Sequence, residues 1–231
     1  MKVDCHVHTV YSPDSLSSLV QIERVAQRRG IDVLAITDHN SIRGALLLAR
    51  WSTLQIIVGE EILTTQGELI GLFLSEEIPA GLSPLDTARA IQAQGGLVCI
   101  PHPCDQARRS SALTSRGRDE VLAWVDMIEV FNARTTHRVD LSAAEELAAR
   151  HGLLRSAGSD AHSAAEIGRA YVDMPAFVDA ASFREALAVG SIWGRLSSPF
   201  VHVSSTAARL SKSLTAVPQA AAQRDRDYGQ L

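Results

Sequence analysis

A strand-like run at residues 2–9 holds the first side chains whose spacing suggests chemistry. Side chains alternate between two faces in an extended strand, so Asp4, His6 and His8 share one face and apolar residues occupy the other. The pattern fits a row of metal ligands, and it equally fits a half-buried edge strand with two solvated histidines. The rest of the chain bears on that choice.

More histidines and carboxylates follow later apolar runs, at Asp14, Asp38, His39, Glu61, His102, Asp160 and His162. Histidine and carboxylate bind divalent Zn, Mn and Fe, and the absence of cysteine at these positions argues against a structural thiolate site. The donors exceed what one ion can use, so we expect two or three divalent metal ions that share a bridging carboxylate. Such a cluster lowers the pKa of a bound water and holds phosphoryl oxygens, which favours hydrolysis of a phosphate ester.

Buried strands and amphipathic helices must position these groups. Apolar runs predict strands at 2–9, 31–37, 55–62, 68–74, 97–100, 126–131, 153–157 and 170–174. Helical periodicity predicts helices at 15–29, 41–51, 84–94, 141–151 and 181–189, and residues 104–118 are predicted to be a loop. Repeated βαβ units indicate an α/β fold with a parallel sheet, and about seven repeats favour a closed or nearly closed barrel. Reactive groups in such barrels lie at the carboxyl ends of the strands.

Length and composition predict one soluble domain. The chain has 231 residues, which suits a single barrel at 1–205, followed by a tail at 206–231 that is expected to be frayed or partly disordered. A net charge of −4 gives no basic field for nucleic acid or an anionic membrane. We find no apolar run long enough to span a membrane, no signal-peptide pattern and no CxxC pair, so a cytoplasmic protein with reduced cysteines is expected.

Five motifs in this order resemble the polymerase and histidinol phosphatase (PHP) superfamily of metal-dependent phosphoesterases. They are Asp-Cys-His-Val-His-Thr at 4–9, Ile-Thr-Asp-His-Asn at 36–40, Gly-Glu-Glu at 59–61, Ile-Pro-His-Pro at 100–103 and Gly-Ser-Asp-Ala-His at 158–162. The resemblance covers residues 2 to about 195 and is closest to the short stand-alone branch. It implies a distorted seven-stranded (β/α)7 barrel with a trinuclear metal cluster at the carboxyl ends of the strands.

The resemblance also implies a distribution of ligands over the cluster. One ion would be held by His6, His8, Glu61 and Asp160, and a second by Asp14, His39 and His162. Glu61 would bridge to a third ion, which His102 also holds. Many relatives carry a histidine at the position that Glu68 occupies here. The alternatives are that Glu68 replaces it as an oxygen ligand, which we favour, or that the third site is weak or empty.

Several further residues are expected to support the cluster. Arg108 and Arg134 are predicted to bind the phosphate, because a guanidinium donates two parallel hydrogen bonds to phosphate oxygens. The neighbouring arginines Arg109, Arg116 and Arg118 are interpreted as surface residues. Hydrogen-bonding support for the ligands is assigned to Asp4, Asp38, Glu129 and Asn132, with Asp4 expected to accept from a neighbouring histidine.

The favoured function is hydrolysis of a small phosphorylated metabolite or nucleotide by a metal-bridging hydroxide, with no catalytic residue assigned beyond the cluster. A 3′ to 5′ exonuclease, like the PHP domain of some DNA polymerases, is disfavoured by the acidic charge and an aromatic content of only 5%. A metal-binding scaffold without activity is the third alternative. No stable complex with nucleic acid or membrane is expected, and the substrate, the metal identity and the oligomeric state stay open.

Overall fold

The computed structural model describes residues 1–105, 108, 111–198 and 201–214. Its strands are β1 (Lys2–Val7), β2 (Val33–Ile36), β3 (Gln55–Thr64), β4 (Gly67–Leu72), β5 (Leu97–Ile100), β6 (Met127–Asn132), β7 (Leu154–Gly158), β8 (Ala170–Asp173) and β9 (Ser191–Gly194). Its α-helices are α1 (Leu19–Arg29), α2 (Arg43–Ala49), α3 (Pro84–Ala93), α4 (Ser115–Val121), α5 (Arg138–His151), α6 (Ala180–Ala188) and α7 (Val201–Leu214).

Within these residues, the nine strands form one sheet in the order β7-β6-β5-β4-β3-β2-β1-β8-β9. The sheet curls until the segment after β7 meets the end of β1. There Asp160 donates its backbone N–H to His6 O at 2.7 Å, and His8 donates to Ala161 O at 2.9 Å. The barrel is therefore nearly closed at the carboxyl end of β1. At the other end of β1, β8 takes the neighbouring place by pairing with Lys2 and Val3.

The sheet is mixed, which corrects the expectation of a parallel barrel with seven strands. β3 and β4 form an antiparallel hairpin, β4 pairs antiparallel with β5, and β8 pairs antiparallel with both β1 and β9. The link between β3 and β4 is only residues 65–66, which leaves no room for a crossover helix. Gly67 follows with φ of +118°, and a Cβ there would lie 2.5 Å from Leu113 Cα, so the turn requires glycine.

β1 is an interior strand, so the edge-strand interpretation of residues 2–9 is wrong. It pairs in parallel with β2 on one side and antiparallel with β8 on the other. His6 and His8 are 1% and 0% exposed, which is unusual for histidines and leaves neither solvated. Both imidazole rings are therefore buried in the interior of the protein.

Helix boundaries follow local capping chemistry. α1 begins at Leu19 rather than at residue 15 because Ser18 is its N-cap: Ser18 Oγ accepts from Gln21 N–H, and Gln21 Oε1 accepts from Ser18 N–H. Gly30, with φ of +63°, ends the helix in the left-handed conformation. These contacts fix the start and end of the helix that follows the first ligands.

Two segments are more helical than expected. The last four residues of the predicted loop, 115–118, form the start of α4, whose N-cap Thr114 accepts from Gly117 N–H at 3.0 Å. Arg116 and Arg118 lie on this helix. Arg109 is outside the described residues. The predicted tail begins inside α7, so residues 206–214 are helical, and 215–231 are outside the described residues. No α-helix in the part of the chain that the structure describes is long and apolar enough to cross a membrane.

The buried carboxyl group of Glu60 is expected to make the stability of the folded protein depend on pH, independently of the predicted metal ligands. Its side chain is buried and accepts one hydrogen bond, from Ile78 N–H at 2.9 Å. Burial raises the pKa of Glu60 to about 7 from the ordinary 4.5, with a smaller contribution from Glu77. The folded state therefore holds this proton more tightly than the unfolded state, and stability falls as the pH rises from about 4.5 to about 7.

Glu60→Gln should remove the fall in stability at high pH, because the amide cannot ionise and its oxygen can still accept from Ile78 N–H. We expect a gain of about 1–2 kcal/mol in the free energy of unfolding at pH 8, after allowance for solvent screening, and little change at pH 5. Urea unfolding at both pH values measures it. Equal differences between variant and wild type at the two pH values would contradict the assignment.

Candidate metal centre

Glu61 lies at the centre of the predicted ligands, at the carboxyl ends of the strands. Its Oε2 is 3.4 Å from His6 Nε2, 3.3 Å from His8 Nε2 and 3.2 Å from His39 Nδ1. Its Oε1 is 3.1 Å from His102 Nε2. One buried carboxylate thus faces four histidine rings, which is the arrangement that a bridging ligand needs.

The two histidines of β1 present their Nε2 atoms to the same point. His6 Nδ1 lies 3.0 Å from Glu129 Oε1, and because a carboxylate oxygen only accepts, Nδ1 carries the proton of the neutral ring. His8 Nδ1 is 2.9 Å from Ser12 Oγ. The Nε2 atoms of the two rings lie 3.0 Å apart, so the unprotonated Nε2 of His6 is directed at the position that His8 also faces.

A second group gathers around Asp14, in the loop after β1. Asp14 Oδ2 is 3.5 Å from His39 Nε2, and Oδ1 is 3.3 Å from His162 Nε2. His162 Nδ1 lies 2.9 Å from the backbone oxygen of Asp160, a pure acceptor, so Nε2 of the neutral ring has a free lone pair. A lone pair that faces a carboxylate at this distance is repulsive unless a cation or a proton lies between them.

The donor set fits divalent metal ions. Ligand atoms of three sets of residues lie within 4.8 Å of one another, namely His6-His8-Glu61, His8-His39-His162 and His39-Glu61-Glu68. Buried histidine nitrogens and carboxylate oxygens at these separations are the donors that Zn, Mn and Fe accept. The predicted Glu68 belongs to this group, with Oε1 3.6 Å from His39 Nδ1 and Oε2 3.8 Å from His102 Nε2.

Asp160 links the two parts of the cluster. Its Oδ1 is 3.6 Å from His6 Nε2, 3.4 Å from His8 Nε2 and 3.3 Å from His162 Nδ1. The backbone of Asp160 has φ of +51°, a strained conformation for a residue with a side chain. Gly158, two residues earlier, permits this close approach, because a Cβ there would lie 2.3 Å from His6 Cβ.

The electrostatics reflect crowded opposite charges. Burial opposes ionisation of Glu61, but His6 and His39 hold the pKa of Glu61 well below its usual range. Burial likewise opposes ionisation of Asp160, yet Arg108 and His6 hold its pKa well below the usual range. Burial and then the charge of Glu61 raise the pKa of Glu68 to about 7. Burial also opposes ionisation of Asp14, but His162 and His39 hold its pKa well below the usual range, so Glu61, Asp160 and Asp14 are anionic donors.

Glu129 and Asn132, both in β6, contact several of the predicted ligands. Besides orienting His6, Glu129 accepts from His102 N–H at 2.9 Å and from Asn132 Nδ2 at 2.9 Å. Asn132 also donates from Nδ2 to Asp160 Oδ2 at 3.1 Å. These two side chains therefore touch three of the predicted ligands.

Asp4 and Asp38 act on the backbone rather than on histidine rings. Asp4, expected to accept from a neighbouring histidine, contacts His6 only through its backbone N–H, at 3.4 Å. Its shorter contacts are from Ser159 N–H and Gly168 N–H, both at 2.8 Å. Asp38 accepts from Thr9 N–H and Thr9 Oγ1, both at 2.6 Å, and so holds the chain that follows His8.

The two predicted phosphate-binding arginines have different surroundings. Arg108 forms an ion pair with Asp160, with Nη2 2.5 Å from Oδ2, at the edge of the cluster. Arg134 pairs through Nε with Glu166 Oε1 at 3.2 Å and donates from Nη2 to Val201 O and Ser205 Oγ, both at 2.6 Å. Both line a cleft of about 430 Å³ together with Asp14, His39, Glu68 and His162.

Arg209 is a cleft residue that the sequence analysis missed. It lies on α7, with Nη2 2.8 Å from Asp14 Oδ2, and it lines the same cleft. The segment that carries it was assigned to a frayed tail on its Ala and Ser content. The apolar face of α7, with Ala208 buried, was the signal that could have identified it.

Asp4→Asn tests the support that this residue gives to Asp160. An amide keeps one acceptor oxygen but turns an NH₂ group toward the second N–H donor, so Ser159 or Gly168 loses its partner. We expect a loss of about 1–3 kcal/mol in the free energy of unfolding and about 10-fold weaker metal binding. Urea unfolding and metal titration of the variant check this. Complete loss of metal would instead indicate that Asp4 is itself a ligand.

Two family models match the chain. The model of the PHP domain matches residues 4–68, and the model described as PHP-associated matches residues 140–192. Together they contain all the ligands discussed above except His102.

Three similar proteins are reported alongside these matches. The uncharacterized protein MJ1587 of Methanocaldococcus jannaschii is 45% identical over 146 residues, which cover 58% of this chain and 82% of that protein. A solved two-domain protein of Bacteroides vulgatus, described as containing a predicted PHP-like metal-dependent phosphoesterase, has a TM-score of 0.68 at 21% identity; the match covers 84% of this chain and 65% of that one. The lesion-specific endonuclease PfuEndoQ of Pyrococcus furiosus has a TM-score of 0.63 at 16% identity, over 83% of this chain and 57% of that one.

Proposed function

This chain belongs to the PHP family, and from that premise we propose that it is a metal-dependent phosphoesterase that hydrolyses a small phosphorylated metabolite or nucleotide. One observation carries the proposal. The buried carboxylate of Glu61 lies within 3.4 Å of nitrogens from four histidines, and one of these, His39, lines a cleft that arginines also line. That combination suits metal ions and an anionic substrate at once.

The proposed ligands form three sets, and Glu61 belongs to two of them. His6, His8, Glu61 and Asp160 would hold one ion, and Asp14, His39 and His162 would hold a second. Glu61, His102 and Glu68 would hold a third. The support is the set of separations of 3.1–3.8 Å between their donor atoms.

The cluster would supply charge neutralisation on the phosphoryl oxygens and a bound water of lowered pKa. The protein's own groups then orient and enclose the substrate. Arg108 is the residue proposed to bind the substrate's phosphate, because its guanidinium is held beside Asp160 and lines the cleft. Glu129 keeps the proton of His6 on Nδ1, so that Nε2 stays available as a donor atom.

A small substrate is favoured over a polynucleotide. The cleft has a volume of about 430 Å³, and α7 forms part of its lining through Ser205, Thr206 and Arg209. The chain as a whole carries a charge of −4, which opposes a long polyanion. The structural similarity to PfuEndoQ keeps nuclease activity as the second candidate.

Substrate screening tests this proposal. Protein reconstituted with Zn, Mn or Fe should release phosphate from an aryl phosphate and from some phosphorylated metabolites, and should leave labelled single-stranded DNA intact. His6→Ala should abolish release, whereas His151→Ala, on the exposed end of α5, should retain it. DNA cleavage without phosphomonoester hydrolysis would replace the proposal by the nuclease. A reconstituted protein that binds metal but turns over neither substrate class would support the scaffold.

A further inference from the structure

Helix α7 forms part of the cleft lining and is held in place by hydrogen bonds at both of its ends. Arg134 donates to Val201 O and Ser205 Oγ, in the first turns of the helix. Near its end, Lys212 Nζ donates to Val10 O at 2.7 Å and to Ser12 O at 2.5 Å, in the loop between β1 and α1. The side chain of Arg209 is carried between these two attachments, so its position over the cleft is defined.

α7 lies outside both family matches, which cover residues 4–68 and 140–192. The residues it adds to the cleft are therefore not part of either match. Among them, Arg209 is the basic group that lines the cleft, together with the hydroxyl residues Ser205 and Thr206.

Arg209 keeps most of its hydrogen-bonding capacity for a ligand. A guanidinium has five N–H donors, and the contact with Asp14 Oδ2 uses one nitrogen. The side chain is 66% exposed, which would be a poor setting for a purely structural ion pair. Arg108, in contrast, is 16% exposed and held against Asp160. Of the three arginines that line the cleft, Arg108 is held against Asp160 and Arg134 against Glu166 and α7, whereas Arg209 is accessible.

We propose that Arg209 is a substrate-binding residue that α7 brings to the cleft, where it donates hydrogen bonds to the phosphate of the substrate together with Arg108. This role rests on the proposed phosphoesterase function. Arg209 stabilises the dianion of a terminal phosphate, and α7 forms part of the cleft lining through Ser205, Thr206 and Arg209. A guanidinium suits this role because its fork matches two phosphate oxygens.

Calorimetric titration of the metal-loaded full-length protein with inorganic phosphate tests the role without relying on turnover. Arg209→Ala should weaken phosphate binding about 10- to 100-fold, the effect of losing charge-assisted hydrogen bonds. Arg209→Lys keeps the positive charge but lacks the forked guanidinium, so its phosphate affinity should lie between those of the wild type and Arg209→Ala. Arg150→Ala, which removes an exposed arginine at the end of α5, is the matched control and should bind phosphate like the wild type.

Kinetics and rescue separate binding from a structural role. For an aryl phosphate, KM of Arg209→Ala should rise by the same factor, with a smaller change in kcat, and added guanidinium ions should restore part of the affinity. The metal content and melting temperature should match those of the wild type. A variant that loses metal or stability, and that guanidinium does not rescue, would show that Arg209 only fastens α7 to Asp14.

The outcomes distinguish this inference from the proposed function. Unchanged phosphate affinity in Arg209→Ala, in a protein that hydrolyses the aryl phosphate, overturns the role of Arg209 and leaves the phosphoesterase standing. Weakened and rescuable phosphate binding in a protein without turnover supports Arg209 as the anion-binding residue and overturns the phosphoesterase. A wild-type protein that binds no phosphate overturns both.

Discussion

Glu61→Gln should cost at least one metal ion per chain and reduce turnover on the order of 10³-fold or more. The carboxylate faces His6, His8 and His39 through one oxygen and His102 through the other, so it contacts four of the proposed ligands. Glutamine has nearly the same shape but lacks the charge and presents an NH₂ group to these rings. Losing several kcal/mol of charge stabilisation corresponds to that loss of rate.

Metal analysis after dialysis and the rate of phosphate release measure these effects. Titration of metal-free protein adds a readout independent of turnover: burial opposes protonation of His39, but Glu61 and Asp14 raise its pKa to about 9, so its pKa should fall in the variant. Glu60→Gln is the matched control, because it changes the adjacent residue of β3 on the opposite face. Full metal content in Glu61→Gln would refute its bridging position.

Asp160→Asn should remove metal from the cluster and also lower stability. Asp160 Oδ1 lies within 3.6 Å of His6, His8 and His162, and Oδ2 binds Arg108. With asparagine, the partly enclosed Arg108 loses the carboxylate that it contacts at 2.5 Å. Breaking a buried ion pair on one side costs about 3–5 kcal/mol, and we expect a loss near the lower end because Asp105 also faces Arg108.

Urea unfolding of metal-free protein isolates the stability effect, and metal analysis measures the loss of ions. Asp119→Asn, at an exposed position of α4, is the control for the same chemical change. A metal-free variant as stable as the wild type would show that the pair with Arg108 contributes nothing. Retention of every ion would remove Asp160 from the ligands.

Patterns in the sequence located most of the strands but not all of their connections. The predicted ligands lie within or just after β1, β2, β3, β5 and β7, and their side chains lie close together because apolar runs locate buried strands whose ends face one region. The run at 97–100 was located to the residue as β5. The ion assigned to each ligand and the functional roles remain proposals.

The hairpin of β3 and β4 was missed because its turn, Thr65-Gln66, lacks the Asn-Gly or Asp-Gly signal of short hairpins. β9 was missed because its four residues are mostly exposed and carry little apolar pattern. For α7 and Arg209, the relevant information is tertiary: the contacts of Lys212 with Val10 and Ser12 join residues about 200 positions apart, which no local pattern encodes.

A titration of activity against bound metal tests the central claim most directly. Metal-free protein is given increasing equivalents of one ion, and phosphate release from an aryl phosphate is followed with the metal content of the same samples. Activity should be absent without metal, rise with occupancy and reach a plateau at two to three ions per chain. Phosphate release that does not depend on metal would contradict a hydrolytic metal cluster built around Glu61. So would a protein that binds two to three ions per chain and still releases no phosphate.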